Sequence, residues 1–531
     1  MPVLVRSHFQ SPSHLQLRAV AHSQVVELLH RHTCPGSTAH SHDWILAPIR
    51  RLPTEILVTI FSIHSAADAH TFYCSSHSFW TELDRLANVP LLALSRVCSR
   101  WHSIVMNTPT LWSRFQLNGV LWITRYRRRK TMPLLLSALE RGHNTLISIA
   151  MSDDGDLPYT WPTSHDHDHG ISPLAEVFEL LAQHSHRWEV ARFSCYLVEE
   201  AGLHLAVLNG KLPCLKGLEI TAPRTVRDVD LQPLVGAPHL CTLTASVELL
   251  ERFGKTIPFK QLRKLVCLTS VPWNLARAIS VAPRLPMGSH FQLKFYVDSD
   301  RRVLTLRIPP TTTSISALSL LLMDQYHRPH FAKLLGNVFA SLTLPCLQQL
   351  EVSCSEYPRL LLDWPHTRFL ELCARSSFHR CLKTLLIGHV IITERKLVQV
   401  LSALESLESL SIADQYWRLA EGESDGTLVT DSLLRALTLS STPGPKGRLV
   451  PRLRHMSCST FLHFSAAILA DFLAFRLDQQ APSPFNFEVR PDANSLRSQN
   501  NVAPIRRMLR QLSADNKRFV YSWADVLFDR M

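Results

Sequence analysis

A phrase with apolar residues at its first, fourth and usually sixth positions recurs between residues 210 and 460. Leu215, Leu218 and Ile220 give one copy of it. The last two apolar residues lie two positions apart, so they share one face of a short strand, and the first lies in the preceding turn. A single strand cannot cover this face, so we expect the copies to stack into a parallel ladder with a continuous core. The copies begin at Leu215, Leu240, Leu262, Ile315, Leu347, Leu382, Leu407 and Leu453.

The spacing of the copies predicts an irregular array. Copies that start at Leu215, Leu240 and Leu262 lie 25 and 22 residues apart, within the period of about 20–29 residues that is typical of leucine-rich repeats. Other copies lie farther apart. The Asn or Cys that usually caps each turn of such a repeat is also replaced. The backbone polar groups of these turns therefore need other hydrogen-bond partners. The replacing residues are Pro223, Ser355, Val390 and Gln415. Unrelated β/α units of an α/β enzyme remain the alternative.

Two short stretches near the start of the chain have the apolar pattern of helices. The first begins at Pro53, where a proline suits the first helical turn, and carries an apolar stripe that includes Ile56 and Ile60. The second carries apolar residues from Leu92 to Trp101. About 40 residues cannot bury two such stripes internally, so we expect a partner protein to cover part of the surface in a helix-in-groove arrangement. Whether Trp101 and the Leu52-Pro53 edge belong to the hairpin core or to the partner contact stays open.

Residues 49–112 resemble an F-box, in the form that many fungal proteins, of the basidiomycete type, join to leucine-rich-repeat-like arrays. The gap between the two halves is longer than usual and predicts an insertion near residues 64–90. The residues that carry the resemblance are Leu52, Pro53, Glu55, Ile56, Leu57, Ile60, Phe61, Leu92, Leu94, Val97, Cys98, Trp101, Pro109, Leu111 and Trp112.

The resemblance implies a substrate-recognition subunit of an SCF-type (Skp1–cullin–F-box) ubiquitin ligase. The F-box would dock a Skp1-type adaptor, and through it a cullin–RING assembly, while the array would hold an unknown target protein. Catalysis would then lie on other subunits, so this chain is expected to be no enzyme, with no catalytic residue, cofactor or metal. The implied adaptor contacts are Leu52, Pro53, Glu55, Ile56, Leu57, Ile60, Leu92, Leu94, Val97, Cys98 and Trp101.

These patterns predict an α/β chain in which a small all-α helical module precedes an irregular leucine-rich-repeat-like solenoid of parallel short strands and helices. Four segments are expected. They are a tail with one possible helix at residues 1–47, the F-box at 48–117, the array at 118–465 and a C-terminal cap at 466–531.

Charge and cysteine content change this picture little. Fifty-six basic and 44 acidic residues give a net charge of +12, but the only dense basic run is Arg125–Lys130, so nucleic-acid binding is not the favoured function. No stretch of 18 apolar residues or apolar signal-peptide core is seen, which predicts no membrane association. The 12 cysteines include no CxxC pair, which favours reduced thiols in the cytoplasm and/or nucleus over a zinc site.

Two local motifs suggest chemistry that their surroundings do not favour. Gly422–Gly426 matches GxSxG around Ser424, but the preceding residues are polar rather than a buried strand. His165–His169 alternates His and Asp, which are metal ligands, in a polar loop. Three rivals to the ligase receptor therefore remain: an F-box scaffold outside a ligase, a basic repeat protein that binds nucleic acid, and a divergent hydrolase that uses Ser424.

Overall fold

The structure of the chain is a computed structural model with two compact units, Met1–Pro258 and Phe259–Met531. The predicted tail helix within residues 1–47, the His165–His169 loop and Ser424 lie outside the described residues, as does most of the predicted insertion. The domain boundaries drawn from the sequence stay predictions. The described residues are 52–67, 70–72, 90–118, 125–152, 173–194, 205–221, 232–269, 274–296, 308–323, 331–354, 362–414, 427–438, 449–460, 462–478, 484–491, 502–516 and 518–523.

The first unit consists of helices that alternate with parallel strands. Its six described strands form one sheet in the order β1-β2-β3-β4-β5-β6. Short 3₁₀ turns at Pro109–Trp112, Ser185–Arg187 and Leu205–Leu208 connect some of the elements. The helices and strands are α1 (Thr54–Ala67), β1 (His70–Phe72), α2 (Pro90–Ser95), α3 (Ser99–Asn107), β2 (Arg114–Asn118), α4 (Arg125–Arg141), β3 (Ile147–Ser152), α5 (Pro173–Gln183), β4 (Trp188–Ser194), β5 (Gly217–Thr221), α6 (Gln232–Val235), β6 (Thr242–Ser246) and α7 (Val247–Arg252).

The hairpin formed by α1, α2 and α3 is built into this sheet rather than tethered to it. The chain leaves α3 through a 3₁₀ turn and enters β2 at once. Strand β2 pairs in parallel with β1 on one side and with β3 on the other. The backbone N–H of Ser148 also donates to the Ser113 oxygen at 2.7 Å. Ordinary strand pairing therefore joins the hairpin to the strands that follow it.

The second unit contains a parallel sheet of nine described strands in the order β7-β8-β10-β12-β14-β16-β17-β18-β19. Two small parallel sheets, β9 with β11 and β13 with β15, lie beside it. Its elements are β7 (Lys264–Thr269), α8 (Asn274–Val281), β8 (His290–Tyr296), β9 (Thr311–Thr312), β10 (Ala317–Met323), α9 (Phe331–Ser341), β11 (Leu342–Thr343), β12 (Gln349–Cys354), β13 (Leu362–Asp363), α10 (His366–Ser376), α11 (Phe378–Cys381), β14 (Thr384–Gly388), β15 (Val390–Ile391), α12 (Glu394–Ser402), β16 (Ser409–Ala413), α13 (Asp431–Thr438), β17 (His455–Thr460), α14 (Ala466–Asp478), β18 (Phe485–Pro491), α15 (Val502–Asp515) and β19 (Phe519–Trp523).

The recurring phrase sets the register of this sheet, as its period predicts. The fourth position of each copy faces the fourth position of its neighbour, so that Leu350 lies opposite Leu318 and Leu385. The fully buried fourth-position row is Leu265, Phe291, Leu318, Leu350, Leu385, Leu410, Met456 and Phe487. The sixth position forms a second buried row, and the first position is buried in the preceding turn. The mixed structure of helices and long runs of parallel strands is consistent with a solenoid-like array.

One strand of the second unit lacks the recurring phrase that the sequence predicts for the others. Strand β8 has no complete copy of the phrase before it, because the nearest buried leucine, Leu285, precedes Phe291 by six residues instead of three. Strands β18 and β19 continue the parallel sheet within residues 466–531, for which the sequence predicts a C-terminal cap, and that assignment stays a prediction.

Arginine side chains donate hydrogen bonds to backbone oxygens near the ends of two helices. Arg187 donates from Nε to the Thr145 oxygen at 2.9 Å, just after α4 ends. Arg375 reaches from α10 to the Phe339 and Leu342 oxygens, both at 2.6 Å, where α9 ends. The last carbonyl groups of a helix lack partners within the helix. These side chains therefore satisfy the helix ends of the neighbouring repeat.

Gly142, directly after α4, lies where there is no room for a side chain. A Cβ atom there would lie 2.8 Å from Arg187 Nη2 and 2.9 Å from the Trp112 backbone oxygen. We expect Gly142→Ala to lower the free energy of unfolding by about 1–3 kcal/mol, because the backbone oxygen cannot rotate away. Urea unfolding monitored by circular dichroism would measure the change.

Gly336 in α9 provides the matched control. A Cβ atom there would be 3.5 Å from Pro365 Cβ, an ordinary contact. Gly336→Ala is expected to leave stability unchanged or to raise it slightly, since alanine favours helix. Equal stabilities of the two variants would contradict the close approach at Gly142.

Candidate functional site

Helix α1 begins where the sequence predicts, directly after Pro53. The Pro53 oxygen accepts the N–H of Leu57 at 3.1 Å, which closes the first helical turn. Glu55 lies in this first turn, where its negative charge is favourable for the helix dipole. Pro53 and Glu55 are both exposed. The start of α1 therefore lies at the surface of the hairpin.

One row of α1 side chains forms the core of the hairpin. Leu57 and Phe61, four residues apart, are both fully buried. The Phe61 ring meets the Trp101 ring of α3 edge to face, with centroids 4.9 Å apart. Trp112 closes the base of the hairpin, since its Nε1 donates to the Val105 oxygen at 2.8 Å. These contacts fix α3 against α1.

A second set of apolar side chains stays at the surface. Ile56 is 47% exposed on α1, and Val97, in the turn between α2 and α3, is 59% exposed. The surrounding apolar residues are only half-buried. We call the whole set the hairpin face, and it comprises Leu52, Ile56, Ile60, Leu92, Leu94, Val97 and Cys98. The hairpin thus leaves apolar surface that its own residues do not seal.

Two of the implied adaptor contacts need separate treatment. The Leu57 side chain is 0% exposed, because it lies on the core row of α1, so its proposed contact with an adaptor does not fit this structure. Trp101 is half-buried and packs on Phe61, so it is part of the core while one part of the side chain stays accessible. Leu52 and Leu92 are half-buried, and neither is sealed beneath other residues.

Arg100 is a residue of this site that the sequence did not indicate. Its Nη2 donates to the Leu52 backbone oxygen at 2.7 Å, which ties α3 to the segment that enters α1. The partner lies 48 residues away in the sequence, and an arginine beside a tryptophan gives no signal of it. Arg100 holds the Leu52 end of the hairpin face in place.

A second polar arrangement spans three neighbouring strands of the second unit. His290 Nε2 lies 2.9 Å from Ser319 Oγ, and Ser319 donates to Glu351 Oε2 at 2.7 Å. Burial, together with the nearby charge of Lys264, lowers the pKa of His290 to about 4, so its imidazole is neutral at pH 7. An activated serine would instead donate to the histidine and be accessible. The buried Ser319 cross-links strands, and the arrangement differs from a hydrolytic triad.

Within the described ranges, no group of three or more His, Cys, Asp or Glu side chains is placed to hold a metal ion. Among the helices described, none is both long and apolar enough to cross a bilayer. The basic run Arg125–Lys130 forms the start of α4.

Comparison with known proteins identifies one family. Residues 49–118 match the F-box-like family model. The match covers α1, β1, α2, α3, the 3₁₀ turn and β2, and it includes the whole hairpin face. No curated protein matches the chain. Residues 49–118 therefore form an F-box-like domain, and domains of this kind generally bind Skp1-type adaptors.

Proposed function

We propose that this chain is a substrate-recognition subunit of an SCF-type ubiquitin ligase. Its F-box-like domain would dock a Skp1-type adaptor, and through it a cullin–RING assembly. The observation that carries the proposal is the exposure of Ile56 and Val97 on that domain, amid half-buried apolar neighbours. Exposed apolar clusters of this kind mark protein–protein contacts.

The geometry of the hairpin face suits a helix-in-groove contact. Ile56 and Ile60 lie one turn apart on α1, on the row beside the buried Leu57–Phe61 row. Such i, i+4 anchors fit an apolar groove of a partner. The core row and the Arg100 hydrogen bond keep the face ordered before binding, so little conformational entropy would be lost on docking.

The parallel sheets supply the second half of the proposal. We assign them to a divergent leucine-rich-repeat-like array of the fungal F-box type, whose outward-facing strand residues would hold a target protein. The chain would then act by proximity, raising the local concentration of target lysines near the charged conjugating enzyme. No catalytic group on this chain is needed for that role.

The thiols fit a reducing compartment. The nine described cysteines are all free, and none is joined in a disulfide. Disulfides are rare in cytosolic and nuclear proteins. We therefore place the proposed activity in the cytoplasm and/or nucleus.

A binding assay with point variants tests the adaptor contact. We expect the full chain to bind a purified Skp1-type adaptor, and the double variant Ile56→Glu/Val97→Glu to bind about 100-fold more weakly, because two charges would be desolvated at the contact. The matched control is Val207→Glu, which alters a valine of the same unit that is 42% exposed outside the F-box-like domain. Titration calorimetry would give the dissociation constants.

Each result of this assay has a defined meaning. Binding by the double variant at the wild-type level would show that the hairpin face is not the docking surface. Failure of the folded wild-type chain to bind the adaptor would overturn the ligase proposal itself. Adaptor binding without recovery of a cullin–RING subunit in a reconstituted mixture would favour the F-box scaffold outside a ligase.

A further inference from the structure

We propose that Cys346 and Cys381 form an oxidisable dithiol site, in which a hydroperoxide converts the two thiols into a disulfide between adjacent repeats. The inference is independent of the ligase proposal. It rests on the register of two neighbouring strands, on the accessibility of both thiols and on the rigid packing of the residues beside them.

The strand register assigns the two cysteines to corresponding positions of adjacent repeats, Cys346 in the turn before β12 and Cys381 at the end of α11. Gln349 of β12 pairs with Thr384 of β14. The N–H groups of Lys383 and Thr384 both donate to the Gln348 oxygen, at 2.8 and 2.9 Å, so the register extends one residue before the strands. Each cysteine lies two residues farther back, directly before the first leucine of its phrase. The two cysteines are therefore equivalent positions of adjacent repeats.

Paired strands lie about 4.8 Å apart, and the Cα atoms of disulfide-bonded cysteines lie about 4.4–6.8 Å apart. Packing and hydrogen bonds hold the backbone beside each cysteine. Leu347 and Leu382, the next residue in each repeat, are 0% exposed. The N–H of Leu347 donates to the Leu344 oxygen, and that of Leu382 to the Phe378 oxygen. A bridge could therefore form with small side-chain rotations.

Both thiols are half-buried, so a small oxidant can reach them. A third thiol, Cys373 of α10, is buried, and burial raises its pKa to about 12. Since the thiolate is the reactive species, Cys373 is a poor competitor. Burial and the nearby Cys346 thiol also raise the pKa of Cys381. The sulfur of Cys381 donates to the Ser377 oxygen at 3.5 Å, a weak contact that rotation would break.

The reaction balances with hydrogen peroxide as the only oxidant. The Cys346 thiolate attacks one peroxide oxygen, an S–O bond forms, the O–O bond breaks and the first water leaves. The Cys381 thiolate then attacks the sulfenic sulfur, an S–S bond forms, and the S–O bond breaks to release the second water. Two thiols lose two protons and two electrons, and one peroxide becomes two waters.

A second cysteine pair in the chain has a different register and serves as an internal control. The N–H of Cys241 donates to the Lys216 oxygen at 2.9 Å, and the Cys241 sulfur contacts the same oxygen at 3.4 Å. Cys214 lies two residues before Lys216 and is thus displaced along the strand direction. Both are half-buried, like the proposed pair. We expect peroxide to leave Cys214 and Cys241 unbridged.

The experiment is peroxide titration of the full-length protein followed by non-reducing peptide mapping. We expect a Cys346–Cys381 peptide pair to be the main disulfide, and its reduction by dithiothreitol to restore both thiols. The bridge should raise the melting temperature of the wild type, because it closes a loop in the unfolded chain. The Cys381→Ser variant should show neither the linked peptide nor this rise, and Cys373→Ser should show both.

Three results would overturn the site: a Cys373–Cys381 bridge, equal bridging of Cys214 with Cys241, or sulfinic acid at Cys346 with no disulfide. Mass spectrometry distinguishes them without any measurement of adaptor binding. Failure of this site would therefore leave the ligase proposal untouched.

Discussion

Lowering the pH from 6.5 to 4 is expected to reduce the stability of residues 259–531 by roughly 5 kcal/mol. Burial lowers the pKa of His389 to about 4, and burial together with Lys264 lowers that of His290 to about 4. The ordinary value is 6.5, so the unfolded chain binds more protons in this window than the folded chain does. Each group then contributes roughly 3 kcal/mol above pH 6.5, and most of this contribution is lost as the pH falls from 6.5 to 4. The lowered pKa of His455 acts in the same direction.

Burial favours the neutral form of His389 and outweighs the hydrogen bond to Asp414, which favours the charged form. Its Nδ1 donates to the Asp414 backbone oxygen at 2.8 Å. The Asp414 carboxylate accepts the Leu428 N–H at 2.7 Å and the Thr460 hydroxyl at 2.5 Å. This buried cluster joins three successive repeats. A second proton on the imidazole would place a charge in the interior without enough water to solvate it.

Two substitutions can distinguish the effect of titration from the effect of packing, because each keeps the hydrogen-bond donor of the histidine that it replaces. His389→Asn retains a donor near the Nδ1 position, and asparagine tolerates the positive φ of 54° at this residue. His290→Gln retains a donor near Nε2. We expect each variant to remove about half of the loss between pH 6.5 and 4, and the double variant to remove most of it. Urea unfolding at a series of pH values would measure this, and an unchanged profile in the double variant would contradict the assignment.

Replacing Arg476 is expected to cost about 3–4 kcal/mol at neutral pH. The buried guanidinium donates to the Leu437 and Val450 oxygens, both at 3.0 Å, and to the Leu449 oxygen at 3.2 Å. Arg476→Met fills much of the same volume but leaves these acceptors without the guanidinium. Each buried acceptor left unpaired costs about 1–3 kcal/mol. The variant no longer buries the charge of the guanidinium, and the desolvation cost that it avoids offsets part of the cost of the unpaired acceptors.

Arg368 provides the matched control for this substitution. It lies on the surface of α10 and pairs with Glu371 at 2.9 Å, with both side chains about half exposed. Such surface pairs contribute little, so Arg368→Met should change the free energy of unfolding by less than about 0.5 kcal/mol. If both arginine variants unfold at the same urea concentration, the capping role of Arg476 is wrong.

The ladder of buried rows was predictable because one strand face must be apolar at every second position. The same rule missed β8, since a turn with Gly288 at φ 85° lengthens the path from Leu285 to Phe291. The arginine contacts at helix ends were not predictable either. They join residues tens of positions apart, and only folding brings a guanidinium to a particular carbonyl group.

In the hairpin, too, the sequence does not predict which of two apolar residues is buried. Ile56 and Leu57 are adjacent and similarly apolar, so the sequence could not tell which one faces the core. The packing of α3 decides it, because the Trp101 ring meets Phe61 on the row of Leu57 and leaves Ile56 at the surface. The sequence therefore predicted an apolar docking hairpin but not the division between its inner and outer faces.

The entry of β2 into the sheet has a mechanical consequence. A domain that docks through a free tether can swing, whereas here α3 leads through Trp112 directly into a strand held between β1 and β3. A protein bound along the first unit would therefore keep a fixed orientation relative to the hairpin, because the hydrogen bonds of the strands hold the two together. If the chain presents cargo for modification, the choice of acceptor site would then depend on the cargo's own loops swinging into range.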